Sequence, residues 1–476
     1  MKNVDVEKLR SIVGEENIRD NPADLYVYGS DSSVHESKAW VVVRPTTVEQ
    51  IQNIIRYANY YKIPVVVRGS GSGMSGQAVP ILGGIVIDMK RINRVLEINK
   101  EDVYCRVEAG VVDDDLNRLL KPHGVMYPVA PASSRVATIG GEIANNASGV
   151  RSVKYGAVRD SVLGMKVVMA NGELVSLGCK NRVMASGYQL DRLMVGSEGT
   201  LGIIVEATMK FIPIPKYRCM GVANYKKLED AGNAISAIMA SGAQPSLLEL
   251  MDHVAITAVN KSTDMGLPDV EAILMFEADG MVKEAVEYEI NCMKDICKKH
   301  HGSGIKTSYD AAERARLFAG RKQLFPALSK YVDLRSCASL ADDMAVPYSK
   351  MAEAANKIHE IAKRNKVIMT AYGHCGSGCM HTKILMDASK DEQWVNAKKA
   401  VEEVYDYVVS VGGTTSAEHG IGISKAPALK KEKRDSIPVM RAIKNALDPN
   451  NILNPNKLMD APDDWVTATR LRYHVA

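Results

Sequence analysis

The 476-residue sequence predicts an α+β protein of two or three domains, and three observations predict it. Residues 1–215 mix short apolar strands, helices and two glycine-rich stretches, without the steady strand–helix alternation of a doubly wound sheet. From Tyr217 to about Asp387 strands alternate with long charged helices, the pattern of helices laid on an antiparallel sheet. The last ninety residues are mainly helical, with 416–476 as a closing segment. The length also exceeds one ordinary core, since domains usually hold ~100–200 residues.

Hydrophobic residues make up 46% and charged residues 24%, the balance of a soluble globular chain. The net charge of +4 is spread without long basic runs, which argues against nucleic acid or anionic lipid as a partner. Val6, Leu9, Ile12 and Val13 recur at helical spacing among charges, so the N-terminus is an amphipathic helix and not a signal peptide. No segment reaches the ~18 consecutive apolar residues of a membrane helix, and a cytoplasmic protein is expected. The 8 cysteines follow no dense framework and are expected to be reduced thiols, with Cys292 and Cys297 as surface or core thiols of a charged helix. The 23 methionines suit gap-filling core positions.

Along the chain, Trp40, Val41, Val42 and Val43 form a β-rich run before Pro45, and Thr46-Thr47-Val48-Glu49 opens a helix through about Lys62 with hydroxyl caps and an early acid. Ile63 begins a strand to Val67. It runs into 68–76, a loop with four glycines in nine residues. Further strands are expected at 85–88, 95–98 and 103–109. A second stretch rich in glycine and asparagine spans 137–157, followed by a hairpin of 162–170 and 173–177 turned by Asn171-Gly172. Pro213 and Pro215 mark a domain boundary. Beyond it, 272–276 is a strand, and 280–300 and 347–366 are long charged helices. The tail 460–476, with Trp465, is expected to pack on the body or on a partner.

Glycine between a strand and a helix lets backbone N–H groups approach an anion, because no Cβ intervenes and positive φ is inexpensive. The 68–76 loop suits a phosphate or pyrophosphate, although a structural turn explains it equally well. No Lys-Ser/Thr closes it as in a Walker A loop. Companions strengthen the ligand reading: Ser133-Ser134, Thr138-Ile139-Gly140-Gly141, Asn145-Asn146-Ala147-Ser148-Gly149 and Lys154-Tyr155-Gly156 supply small residues and hydroxyl or amide donors for an extended ligand.

Arg68-Gly69-(x)3-Gly73-(x)2-Gly76, Thr138-Ile139-Gly140-Gly141, Lys154-Tyr155-Gly156, Gly196-Ser197-Glu198-Gly199-Thr200-Leu201-Gly202 and Asn454-Pro455-(x)-Lys457, in this order, resemble the FAD-binding pattern of the vanillyl-alcohol oxidase/p-cresol methylhydroxylase superfamily. The resemblance covers about residues 40–458 and is closest to the branch of D-lactate dehydrogenases and glycolate oxidase FAD subunits. It implies an α+β fold with a two-subdomain FAD-binding domain over 1–215, a substrate or cap domain with an antiparallel sheet over 216–415, and a helical segment, 416–476, returning to the FAD domain. It also implies that Arg68, Gly69, Ser70, Gly71, Ser72, Gly73, Ser75 and Gly76 receive the pyrophosphate. Pro131, Ser133, Ser134, Thr138, Gly140, Gly141, Asn145, Ser148, Gly149, Tyr155 and Gly156 would follow the flavin, together with Glu198, Gly199, Thr200, Gly202, Ile203 and Asn454. Where the family usually has Pro-Asp-Pro, this chain has Pro128-Val129-Ala130-Pro131. Nothing suggests a covalent flavin. His35, the single histidine of the first 120 residues, is expected to be a solvated surface group.

Later in the chain, His374 and His381 flank a glycine-rich loop, and Glu418-His419 opens another. A catalytic divalent metal wants neutral imidazoles and a carboxylate with one side open. Any one of these histidines alone suits a core position, but three with an acid in glycine-rich turns point to a site. The segments resemble the family signatures Gly-His-x-Gly-Asp-Gly-Asn-x-His and Glu-His-Gly-Ile-Gly. This implies His374, His381 and Glu418 as ligands of Fe2+, Zn2+ or Mn2+, and His419 as the general base. Ser377 replaces the usual aspartate and Cys379 the usual asparagine, where a thiol changes substrate fit or offers a ligand. Arg314-(x)2-Leu317-Phe318-(x)2-Arg321 resembles the family's Arg-x-x-Leu-Trp-x-x-Arg helix, which implies Arg321 as the carboxylate clamp. Lys425 is expected to be a solvated or capping charge.

The resemblance implies FAD-dependent oxidation of a small (R)-2-hydroxy acid, D-lactate before glycolate or 2-hydroxyglutarate. Electrons would pass to a soluble acceptor such as an electron-transferring flavoprotein, an iron–sulfur subunit or a cytochrome. The rival classes are a non-catalytic flavin-binding relay subunit, expected to lose the histidine cluster, and a phosphate-acting nucleotide module, disfavoured by the missing Walker lysine.

Overall fold

The computed structural model describes residues 4–331, 337–338, 343–387, 390–464 and 470–471. Trp465 and its neighbours in the expected docking tail lie outside the described residues. The chain forms two compact units: Met1–Ser148 with Gly156–Ile214 and Glu418–Arg472, and Gly149–Tyr155 with Pro215–Ala417 and Tyr473–Ala476.

The first unit begins with the helix Val6–Val13, capped by Asp5 and buried along Leu9 and Val13. The helix Val48–Tyr61 starts where Thr47 Oγ1 accepts from Gln50 N, and Ile51, Ile54, Ile55 and Ala58 give it one buried face. That face packs into a core built on two sheets. One sheet orders Ile18–Arg19, Val41–Val43, Ile85–Asp88 and Val65–Arg68, with both neighbours of Ile85–Asp88 parallel to it. The other is antiparallel and orders Leu174–Gly178, Val162–Val168, Ile203–Lys210, Tyr104–Glu108 and Val95–Asn99. The expected hairpin around Asn171-Gly172 is present, with Gly172 at φ +81°. The C-terminal segment is tied in by buried lysines. Lys444 Nζ donates to Thr200 O, Leu453 O and Asp448, and Lys457 Nζ donates to Val79 O and Asn454 Oδ1.

In the second unit a five-stranded antiparallel sheet orders Ser303–Ser308, Tyr217–Tyr225, Ala272–Gly280, Leu247–Asp252 and Tyr372–Gly373. The helices Leu228–Ala240, Lys283–Lys299 and Met351–Arg364 pack beside it, and Met351–Arg364 buries Ala354, Ala355, Ile358, Ile361 and Ala362 at helical spacing. The helices His253–Ser262 and Ala311–Leu328 share an apolar cluster with the strands through Ala255, Val259, Leu324 and Leu328. No helix among the described residues is long and apolar enough to cross a membrane.

Two expectations are corrected. His35 is not solvated: it lies in a short strand, is fully buried, and its Nε2 stands 2.8 Å from Ser424 Oγ. Burial, helped by the Lys457 charge, pushes its pKa down to about 3, so the ring is neutral. Lys425 is 1% exposed, and its charge opposes the burial of Glu198. Both residues were misread because a charged or titratable side chain in a glycine-rich loop reads as exposed until a second loop covers it.

Candidate functional site

The strand Val65–Arg68 delivers the glycine loop to the wall of a cavity inside the first unit. Gly69, Ser70, Gly71, Ser72 and Gly73 line one side, Pro131, Ser133, Thr138, Gly140, Gly141, Asn145 and Ser148 another, and Glu198, Gly199, Gly202 and Ile203 a third. The glycines set how closely these loops approach each other. A Cβ on Gly69 would stand 2.2 Å from Thr138 Oγ1, and one on Gly140 would stand 2.6 Å from the Ala109 Cβ. A cavity lined by glycines, hydroxyls and the Gln77 and Asn145 amides fits an extended dinucleotide such as FAD.

The Glu418–Gly422 loop is stitched to this cavity from several directions. The buried Glu198 carboxylate accepts from Ile421 N at 2.6 Å and Gly422 N at 2.8 Å. Ser75 O accepts from Ile423 N at 2.7 Å, and Gln77 Nε2 donates to His419 O. Asn454 Nδ2 donates to Glu198 O and Gln77 O, locking the same loops from behind. Burial pushes Glu198 up to about 7 against the backbone donors and Lys457, and pushes Lys457 down to about 7 against Asp31 and Glu198. Thus anchored, Glu418 and His419 both line the cavity. Glu418 Oε2 accepts from Ser148 Oγ at 2.6 Å, and its Oε1 stands 3.5 Å from His419 Nε2.

The remaining expected cofactor residues do not line the cavity; several of them support it. Arg68 is buried, donates to Ser30 O and lies over the Tyr28 ring. Ser75 Oγ donates to Gly420 O, Gly76 packs against Ile423 and His35, and Thr200 Oγ1 donates to Ser197 O. Ser134 O accepts from Asp114 N, and Gly156 sits at φ +82° beside Asp160. Gly149 and Tyr155 belong to the second unit, where Tyr155 Oη donates to Asp279 Oδ1 at 2.6 Å. The sequence reading missed Gln77 and Glu142, both in the cavity wall. Glu142 lies one turn beyond Thr138 on the helix Ile139–Asn145 and buries its carboxyl beside Asp113 and Tyr127. An acid inside Ile-Gly-Gly-Glu-Ile-Ala was the legible signal.

His374 and His381 lie in the second unit, and Glu418 and His419 in the first. The two imidazoles stand with ring centroids 5.0 Å apart at 90°. Strand register explains the first one's partner. Leu250 pairs with Gly373 and Met251 with Tyr372, which brings Glu249 opposite His374. His374 Nδ1 stands 2.5 Å from Glu249 Oε1, and Arg321 Nε donates to Glu249 Oε2 at 2.8 Å. Burial raises the Glu249 pKa, but the His374 and Arg321 charges outweigh it and hold the carboxylate below its usual range. A carboxylate on one imidazole nitrogen is the usual support of a metal-ligating histidine, so the donor set fits a divalent cation. Arg321 also lies over the Tyr372 ring. Glu249 was missed, although a single acid inside Leu247-Leu248-Glu249-Leu250-Met251 was a visible break in an apolar strand.

Comparison with known proteins agrees with this geometry. A model of the FAD binding domain matches residues 39–178, and a model of FAD linked oxidases, C-terminal domain, matches residues 214–458. The chain is 34% identical over 455 residues to glycolate oxidase subunit GlcD of Bacillus subtilis, covering 95% of this chain and 96% of the other. It is 33% identical to the mitochondrial D-lactate dehydrogenase [cytochrome] of Arabidopsis thaliana, covering 95% and 80%. A solved p-cresol methylhydroxylase with substrate bound superposes with a TM-score of 0.79 at 20% identity, covering 94% and 95%.

Proposed function

The chain belongs to the family of FAD-linked oxidases, and on that premise we propose that it oxidises a small (R)-2-hydroxy acid, D-lactate to pyruvate first. The observation that carries the reading is that His419, backed by Glu418, lines the cavity formed by the flavin-type glycine loops. Bound FAD would supply the acceptor for the hydride of C2. A divalent cation, whose ligand set the sequence motif assigns to His374, His381 and Glu418, would supply Lewis acidity toward the α-hydroxyl.

His419 takes the hydroxyl proton, since a histidine's ordinary pKa of ~6.5 suits a base at neutral pH. Its carbonyl is fixed by Gln77, which orients the residue at the cavity wall. Arg321 is assigned to the substrate carboxylate, and Glu249 holds its guanidinium in one orientation. Reoxidation is assigned to a soluble protein, an electron-transferring flavoprotein or an iron–sulfur subunit, in the cytoplasm. The family resemblance supports the Arg321 assignment and the class of acceptor.

The test is His419→Asn. The variant is expected to retain FAD with an unchanged visible spectrum and to lose ~10²-fold or more in the rate of flavin reduction by D-lactate. Near-normal reduction by this variant would overturn His419 as the base.

A further inference from the structure

Cys379 stands where the family signature has asparagine, and its surroundings give that thiol a specific geometry. The short strand Cys379–Met380 pairs with Met344–Ala345, in the register Ala345 to Cys379 and Met344 to Met380. Continuing that antiparallel register brings Asp343 opposite His381, while Cys379 and His381, two apart, point to the same side of their strand. All three side chains are buried, and their donor atoms lie within 4.8 Å of one another. Cys379 Sγ is 3.6 Å from Asp343 Oδ1 and 3.8 Å from His381 Nε2.

These separations match the ligand–ligand edges of a tetrahedral zinc site, which are about 3.5 Å for Zn–S of ~2.3 Å and Zn–N or Zn–O of ~2.0–2.1 Å. Asp343 is also braced as a ligand would be. Its Oδ2 accepts from Ser416 Oγ at 2.8 Å and Ala417 N at 2.9 Å, which turns Oδ1 toward the sulfur.

We propose that Asp343, Cys379 and His381 form a thiolate-containing site for a borderline-soft divalent cation such as Zn2+, built from residues of the second unit alone. The thiol proton passes to solvent as the sulfur–metal bond forms. Three protein ligands leave a fourth position open, as in catalytic rather than structural zinc sites. The thiolate selects zinc over manganese, because soft donors disfavour hard cations. The proposal deepens the metal part of the proposed function: it rests on that reading in placing a cation at His381, and it gives that cation Asp343 and Cys379 as ligands in place of His374 and Glu418.

The test is X-ray absorption at the zinc edge of the full-length flavoprotein loaded with one equivalent of Zn2+. One sulfur scatterer at about 2.3 Å is expected in the wild type. It should disappear in Cys379→Ser, while Ser416→Ala, which removes only the brace, should weaken zinc binding by ~10-fold or more. The wild-type spectrum decides the question even if the cysteine variant fails to fold. A shell of nitrogen and oxygen alone, a sulfur that persists in Cys379→Ser, or no zinc binding would each overturn the proposal. Flavin bleaching by a hydroxy acid is read separately, so failure of this site and failure of the oxidation are distinguishable.

Discussion

The cavity of the first unit and the cluster of the second are built on opposite principles. The cavity wall is rich in glycine and hydroxyls, and it works by what is absent: Gly69 and Gly140 hold positions where a Cβ would meet Thr138 or Ala109. The cluster works by what is present, with Glu249 shared by His374 and Arg321, and Asp343 braced by Ser416. A shaped surface fails when atoms are added. A charge network fails when one member is removed.

The largest expected effect follows from the network. Glu249→Ala removes the fully buried carboxylate opposite Arg321 and His374, and breaking such a buried arrangement costs about 3–5 kcal/mol. Denaturant titration should show this loss, and the visible flavin spectrum should survive, since Glu249 belongs to the second unit. An equal loss of bound FAD would erase the distinction between the two regions.

The converse experiment adds atoms to the cavity. Gly140→Val forces methyl groups into Ala109, which should cost about 1–3 kcal/mol of overpacking and lower FAD affinity by shifting the cavity wall. Flavin content after gel filtration measures it, and zinc loading of the second unit should be unaffected.

A smaller effect lies in the pH dependence of the first unit. Burial raises the Asp113 pKa from 3.8 to about 6, and burial with the neighbouring Asp113 charge holds Glu142 well above its usual 4.5. Carboxyls raised by folding contribute stability below their unfolded pKa and lose it as pH climbs through the folded value. Wild-type melting temperature should therefore carry a falling component between about pH 4 and pH 6. Glu142→Gln should flatten it, by at most ~1.4 kcal/mol per pH unit per proton. An unchanged pH profile would contradict the shared burial of these two acids.

Much of this was legible in the sequence because local chemistry and fold agreed. Thr47 before an apolar period of 3.6 announced the helix Val48–Tyr61, and Asn171-Gly172 between alternating apolar runs announced the hairpin. The glycine loops pointed to an extended ligand because glycine has a local cause. Residues recruited by pairing across the sheet were not legible. Glu249 meets His374 only because Leu250 pairs with Gly373, more than a hundred residues away, and Asp343 meets Cys379 through a two-residue ladder. His35 and Lys425 were misread for the same reason, since the loops that bury them come from distant parts of the chain.

The proposed reaction is hydride transfer from a small (R)-2-hydroxy acid to the flavin. Anaerobic addition of D-lactate to the purified, FAD-loaded protein, followed in the visible spectrum, tests it most directly. Bleaching of the flavin band by D-lactate is expected, and by glycolate or D-2-hydroxyglutarate more slowly, with none by L-lactate. A spectrum unchanged by all of the (R)-2-hydroxy acids and glycolate, while dithionite bleaches it fully, would contradict it.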